Sequence, residues 1–472
     1  MGYLFGLKSK DTQLLDSSVD SVGDNKKILC IANRFPPKKE PTVYRINKLL
    51  TSLKDRWDFD VVTATKAGNM DRVNVYITSD WKPRHLLNLL TKIKLGKLLN
   101  IFVFPDDDIF WVFPALIKSW RLTKQKNYDL ILVFMMPYSA GIVGVLLKKL
   151  TRLPLVLNLD DSLTCTDMHP VFPTRLHYWM MQALEDWYIR QADAIIYVSQ
   201  TNLETVKQRQ LPDHQGKLHL IRCAADPKDF LLPCSSNFLN EPHFKIIYTG
   251  GMNGWYEFYH RSEEKSLLKE IYRRWTKLGE HELVKIDYRS SSPMYIGKAI
   301  QNLSTLYPEW KDKIQVQIYG NDYPEFVVER ALKNQNLTDI VSVSSSISHA
   351  KVIELARQVD LLFMTLPDRP DGSAGGRISL KTYEYLMSNK PILAAVPPGE
   401  NWNFLEGKPG VWLVKPTDID AMTEVVAQLA AAKFEGRSLQ FDRSNLQEEF
   451  SYEYRLKEFD HVLNQVIEKV NE

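Results

Sequence analysis

Lys381 and Glu384 stand three residues apart in the stretch Asp371–Pro391, D-G-S-A-G-G-R-I-S-L-K-T-Y-E-Y-L-M-S-N-K-P. On a helix that spacing puts an ammonium and a carboxylate on one face. The stretch opens with a small-residue loop holding Gly372, Gly375 and Gly376. Apolar Leu380, Tyr383 and Leu386 then recur at helical spacing, and Pro391 stops the run. A glycine loop that opens a helix offers unpaired N–H groups and the positive end of the helix dipole, which suits a phosphate. A lysine there holds phosphate, and a carboxylate beside it accepts from a ribose hydroxyl. A core helix carrying a solvated Lys/Glu pair fits the same spacing.

Other residues of the right chemistry are scattered. Asp160 and Asp161 end the apolar run Leu155–Leu159. Adjacent carboxylates at a strand end can bind hydroxyls, assist proton transfer or hold a divalent ion. Asp106–Asp108 is a second acidic cluster open to the metal reading, and Asp161 also suits the cap of a following turn. Arg34 and Arg45 flank the loop after the first apolar run. Arg289 precedes a helical stretch, where it reads either as an anion ligand or as a surface arginine. His349, in S-I-S-H, suits a place beside a base or a helix-capping turn.

These residues need a frame. A chain of 472 residues exceeds one ordinary core and implies two or three domains. Hydrophobic content of 44%, charged content of 25% and a net charge of +3 are ordinary for a globular protein and give no field for nucleic acid. Cys30, Cys165, Cys223 and Cys234 lack C-x-x-C or zinc spacing and read as reduced thiols in a cytoplasmic protein. The first residues lack the apolar core of a signal peptide. The eighteen uncharged residues Leu130–Leu147 raise the question of a membrane span. Pro137-Tyr138-Ser139 divides them, so a buried strand followed by a packed helix is the expectation.

Short apolar runs at Lys27–Ala32, Phe59–Thr63, Tyr128–Phe134, Leu155–Leu159, Asp193–Ser199 and Leu218–Arg222 predict parallel strands, with a helix near Val43–Leu53. A second series follows at Lys245–Thr249, Val316–Gly320, Ile340–Val343, Val359–Met364 and Ile392–Val396, with helices near 295–306 and 349–358. Between the first two runs of that series, charged and aromatic residues at about 255–287 read as an insertion. Residues 82–100 carry five basic residues, no acid, and leucines at helical spacing. That pattern suits an amphipathic helix on an anionic membrane, or a surface helix with its leucines on the core.

The run K-T-Y-E-Y-L-M-S-N-K-P-I-L-A resembles the K-x-x-E-Y-x-x-x-x-K-P-I-x-A signature of GT-B glycosyltransferases, the retaining family 4 in particular. P-D-x-x-x-x-W-x-x-P-A at Pro105–Ala115 resembles a motif in a subset of them, and I-R-C-A-A-D-P-K-D-F at Ile221–Phe230 is similar to their link out of the first domain, without its usual Asn. With the first loop and D-A-I-I-Y-V-S, five motifs stand in family order, and the resemblance spans about 27–465.

The resemblance implies an α/β chain of GT-B type: two Rossmann-like parallel-sheet domains, a central cleft and a C-terminal crossover helix. The expected division is a flexible leader (1–25), an acceptor domain (26–235), a nucleotide-sugar donor domain (236–450) and a terminal helix packed back on the first domain (451–472). It implies that Glu384 binds ribose hydroxyls. Gly375, Gly376, Arg377, Ser379 and Lys381 would hold the diphosphate, with Arg289 a further candidate, and Gly250 and Gly251 would admit the donor to the backbone. Arg34, Arg45 and Asp161 would face the acceptor, and Asp160 is the expected catalytic carboxylate. Many members carry a second Glu eight residues before the first, where this chain has Gly376.

The chemistry implied is sugar transfer with retention, from a nucleotide-diphosphate sugar to a saccharide or lipid-linked acceptor in polysaccharide or glycoconjugate synthesis. No metal and no other cofactor is expected. The place of action would be the cytoplasm, at the inner face of the plasma membrane if 82–100 makes contact there. The competing reading is a non-catalytic GT-B relative that binds nucleotide or glycan as a scaffold. A dinucleotide oxidoreductase is disfavoured, because Lys27–Asn33 is not followed by G-x-G-x-x-G.

Overall fold

The computed structural model describes residues 25–38, 40–66, 72–82, 103–230, 242–251, 277, 279–321, 323–375 and 377–471. The expected leader, Gly376, Cys234, nearly all of the basic stretch 82–100 and most of the proposed insertion lie outside them.

The first domain is built on a parallel sheet of order β3-β2-β1-β4-β5-β7-β8. Its strands are β1 (Lys26–Ile31), β2 (Trp57–Thr63), β3 (Val73–Ile77), β4 (Leu130–Phe134), β5 (Leu155–Leu159), β7 (Ala194–Tyr197) and β8 (Leu218–Leu220). β4 and β5 are buried at every position, as strands covered on both faces must be. Helices α2 (Val112–Gln125), α3 (Ala140–Thr151), α4 (Arg175–Gln191) and α5 (Gln200–Gln208) cover one face around Leu157, Met181 and Val206. Helix α1 (Pro41–Leu53) covers the other. The divided run Leu130–Leu147 is β4 and most of α3, and no helix among the described residues is long and apolar enough to cross a membrane.

The second domain repeats the plan, in the order β12-β11-β9-β13-β14-β15. These strands are β9 (Phe244–Thr249), β11 (Ile314–Asn321), β12 (Val341–Ser345), β13 (Leu361–Thr365), β14 (Ile392–Ala395) and β15 (Val411–Val414). All of their pairings are parallel. The helices that matter to the site are α8 (His349–Gln358), α9 (Leu380–Met387) and α10 (Glu400–Leu405), preceded in the chain by α6 (Met294–Leu306) and α7 (Glu325–Asn334). Buried Arg443 ties down the exit of α9 by donating to the carbonyls of Ser388, Lys390, Pro409 and Gly410. α11 (Ile419–Phe434) and α12 (Ser444–Glu449) close the domain.

The chain crosses between domains twice, and the crossings touch: Ala225 N–H donates to Phe450 O at 3.1 Å. The terminal helix α13 (Tyr452–Asn471) then buries Phe459, Val462, Leu463, Val466 and Ile467 in the same cluster as Ile46 and Leu50 of α1. A third contact was not foreseen. β10 (His281–Glu282), at the end of the proposed insertion, pairs antiparallel with β6 (Val171–Phe172) of the first domain. That stretch therefore reaches across the cleft at its described end.

Two motifs turn out to be structural. Asp106 of P-D-D-D accepts from Ser139 N–H (2.9 Å) and Oγ (2.7 Å) at the start of α3, and buried Trp111 donates from Nε1 to Thr78 Oγ1 at 2.7 Å. Lys82 pairs with Asp107 and Asp108. The acidic cluster is thus engaged in capping and ion pairing.

Candidate active site

The two sheets place their C-terminal strand ends toward a shared cleft, where ligands bind in open parallel sheets. On the second-domain side, Lys381 and Glu384 lie three apart on helix α9, and Lys381 reaches the end of β9. Lys381 Nζ donates to Thr249 O at 2.7 Å and lies 4.7 Å from the centre of the Tyr248 ring. Burial drives its pKa down to about 8, only partly offset by Glu384. A cation so desolvated is poised to gain from an anion.

Gly250 sits directly beside it with φ +153°, and a Cβ there would lie 2.4 Å from Lys381 Nζ. The backbone angle favours glycine, and an added Cβ would push the flexible end of the lysine aside. Gly250→Ala is expected to displace Lys381, lowering affinity for an anionic ligand about tenfold while costing about 1–3 kcal/mol of stability. Calorimetric titration and a thermal melt on the same sample check both. Gly251 is open, with nothing within 4 Å of an added Cβ.

Glu384 is buried, and its Oε1 lies 2.5 Å from His349 Nε2. That hydrogen bond raises the His349 pKa against the effect of burial. The capping of α8 falls to Ser348, whose Oγ accepts from Lys351 N–H. His349 in turn packs on Tyr44 of α1, ring centres 4.5 Å apart. A first-domain aromatic therefore reaches the Glu384 carboxylate through one histidine.

The loop before α9 is fastened across the cleft. Gly375 N–H donates to Pro398 O, and a Cβ on Gly399 would clash with the Gly375 carbonyl, so two backbones meet where no side chain fits. Arg369, almost wholly buried, bonds Asp167 (2.7 Å) and Thr166 (2.9 Å) of the first domain and the carbonyl of Ala374. Arg377, expected on the diphosphate, pairs through Nη1 with Asp161 at 2.5 Å and donates its N–H to Asp167. Burial nonetheless raises the Asp161 pKa, outweighing the arginine. Asp161 thus closes the cleft rather than capping a local turn. Ser379 is the residue before α9, its Oγ 3.3 Å from Thr382 Oγ1.

On the first-domain side, Asp160 and Arg45 come together as an ion pair, with Thr42 Oγ1 donating to Asp160 at 2.7 Å and Arg45 also bonding Asn158. Both oxygens of Asp160 are engaged, so here it is a held carboxylate rather than a free base. Arg34 pairs with Glu40 and remains partly exposed. Arg289 pairs with its neighbour Asp287 at 3.0 Å. Its segment adjoins the cleft loop through Ser290 Oγ, which accepts from Asp368 N–H.

Glu400 was missed. From the P-P-G-E turn it accepts from Ser199 Oγ (2.5 Å), from the N–H of Gln200 at the start of α5 (2.7 Å), and from Arg222 (3.3 Å). Only its position after a predicted strand hinted at a role. Among the described residues, no group of three His, Cys, Asp or Glu is placed to hold a metal ion.

Residues 71–229 match the sequence model of Glycosyltransferase Family 4. No curated protein matches the chain. Among solved structures, sucrose-phosphate synthase from Thermosynechococcus elongatus superposes with TM-score 0.59 at 14% identity, over 94% of this chain and 100% of that one. HepE from Anabaena, solved in complex with UDP-glucose, superposes with TM-score 0.58 at 14% identity, over 93% and 99%. A UDP-forming α,α-trehalose-phosphate synthase from Burkholderia xenovorans gives 0.56 at 11% identity, over 94% and 99%. The two-sheet architecture is that of the GT-B fold, and residues 71–229 carry the match to Glycosyltransferase Family 4.

Proposed function

We propose that this protein moves a sugar from a nucleotide-diphosphate sugar to a saccharide or lipid-linked acceptor, with retention, in polysaccharide or glycoconjugate synthesis. The observation that carries the reading is the desolvated Lys381 ammonium beside Gly250, one helical turn from Glu384. Ammonium, glycine backbone and carboxylate match the diphosphate, its approach path and a ribose. In this reading Gly375, Ser379 and the amides opening α9 share the phosphate with Lys381, joined by Gly376 and Gly251. Arg377 and Arg289 are the further cations within the same loop system, and Arg377 turns from Asp161 to phosphate when donor enters. Solved UDP and UDP-glucose complexes of the structurally similar HepE favour a uridine donor.

The departing phosphate takes the acceptor proton, so the protein contributes positioning and charge stabilisation rather than a strong base. The engaged Asp160 fits that division, since its pairing with Arg45 shapes the acceptor side beside Arg34 and Asp161. The site is proposed to work without metal at the cytoplasmic face of a membrane, with contact through 82–100.

Calorimetric titration with UDP, GDP, ADP and dTDP, followed by a donor-hydrolysis screen with and without EDTA, tests this. One diphosphate is expected to bind, and EDTA to leave turnover unchanged. Binding without any turnover would move the assignment to a non-catalytic scaffold, which Gly376 in place of the usual Glu favours. No binding by any of the four would remove the transferase reading.

A further inference from the structure

Helix α2 presents two apolar faces where one would suffice. Ala115, Ser119 and Leu122 are buried inward against the first-domain core. Phe113, Ile117 and Trp120, spaced at 113, 117 and 120, form a second stripe on another face. Phe113 is 56% and Trp120 42% exposed, while Ile117 is half-buried. Trp81, following β3 and 54% exposed, packs on Phe113 with ring centres 5.5 Å apart. Large aromatic side chains left in water at this density mark a contact surface.

The charge pattern selects the occupant. Residues 109–128 contain Lys118, Arg121, Lys124 and Lys126 and no acid. Arg121 and Lys124 are exposed, and Lys124 Nζ lies 5.9 Å from the Trp120 ring centre. The nearest acidic run, Asp107 and Asp108, is paired with Lys82, and Asp80 accepts the Lys82 N–H. Tryptophan and phenylalanine interleaved with cations are the composition that settles at the headgroup boundary of an anionic bilayer. A protein partner of acidic character would leave the tryptophans less well explained, because their rings favour the bilayer interface.

We infer that the outer stripe of α2, with Trp81, is an interfacial docking surface for an anionic lipid bilayer. It extends the membrane contact proposed above, on which it rests, to the described residues of α2 and Trp81. It does not depend on which sugar is transferred. α2 begins at the cleft end of the first sheet, next to the Asp106 cap of α3, so docking would set the acceptor side of the cleft at the lipid surface.

The test is co-sedimentation of the full chain with sucrose-loaded vesicles of phosphatidylcholine alone or mixed with phosphatidylglycerol. Wild type is compared with a triple Trp81→Ser, Phe113→Ser, Trp120→Ser variant and with Arg121→Glu, Lys124→Glu. Thermal melts and the UDP titration report folding and donor binding separately, so failure of the transferase reading leaves the vesicle result interpretable. Wild type is expected on the anionic vesicles only. The triple variant should bind at least about tenfold more weakly. The charge variant should lose roughly thirtyfold or more at low salt. Three results overturn the inference. Wild type could fail to sediment with anionic vesicles. The variants could bind like wild type while neutralising Arg84, Lys92, Lys94 and Lys97 removes binding. Or the triple variant could convert a dimer to a monomer in size-exclusion chromatography with vesicle binding unchanged, which would make the stripe an interface between copies.

Discussion

Glu384→Gln is expected to weaken nucleotide-diphosphate binding about 10- to 100-fold, since a hydrogen bond to a charged group contributes roughly 1.5–3 kcal/mol. Glutamine keeps the volume and one acceptor but removes the charge that a ribose hydroxyl would meet. The fold has little reason to fail, because Glu384 lies on the cleft side of α9 and its recorded partner is His349, 2.5 Å away. The variant carries its own internal control. The Glu384 hydrogen bond is the largest cause of the raised His349 pKa, so the His349 titration midpoint by NMR should fall in the variant toward about 6.5 or below. A variant that binds UDP as wild type while His349 shifts would show that donor does not use the carboxylate.

Lys381→Met is expected to lower kcat about 10²- to 10³-fold, the usual cost of deleting one preorganised charge at a leaving group. Its stability should move the other way. The Lys381 pKa falls from 10.5 to about 8 in the folded protein through burial. Between those values the unfolded chain binds the proton and the folded one does not, so stability rises with pH across that window. Below about pH 8 both states are charged and the full penalty of burying the ammonium is present. Lys381→Met removes the penalty and should gain about 1–3 kcal/mol at pH 7, reduced by the lost hydrogen bond to Thr249 O. Denaturant midpoints at pH 7 and pH 10 measure this, with the variant's advantage shrinking at the higher pH. Donor binding has the opposite sign, because phosphate favours the charged lysine. Affinity of wild type should therefore fall above about pH 8 and that of Lys381→Met should not. A pH-independent wild-type affinity would remove Lys381 from the phosphate site.

The pairing of Lys381 and Glu384 on one helix was legible because its signals are local. Lys381 and Glu384 share a face whenever residues 380–387 are helical, and the glycines mark where backbone must approach backbone. The buried strands were legible for the same reason, β5 to the residue. β3, with only Val73 fully buried, and β15, mostly half-buried, lack that continuous apolar signal and passed unread. The short β6–β10 pairing left no pattern at all.

What only the tertiary structure decided is how the two halves meet. Arg377 and Asp161 lie 216 residues apart, Arg369 and Asp167 202, and Ser199 and Glu400 201. No periodicity encodes such pairs, because a lone arginine or glutamate in a loop has the same local signature whether it meets solvent, phosphate or another domain. The same holds for Asp160. Its sequence context marked a carboxylate at a strand end, and only the packing of α1 against the sheet showed Arg45 and Thr42 holding it. By itself the sequence determined two parallel α/β sheets and the helix that carries Lys381 and Glu384, because apolar spacing dictates local conformation. The closure of the cleft was settled by the route of the chain, which brings charges from opposite domains into contact.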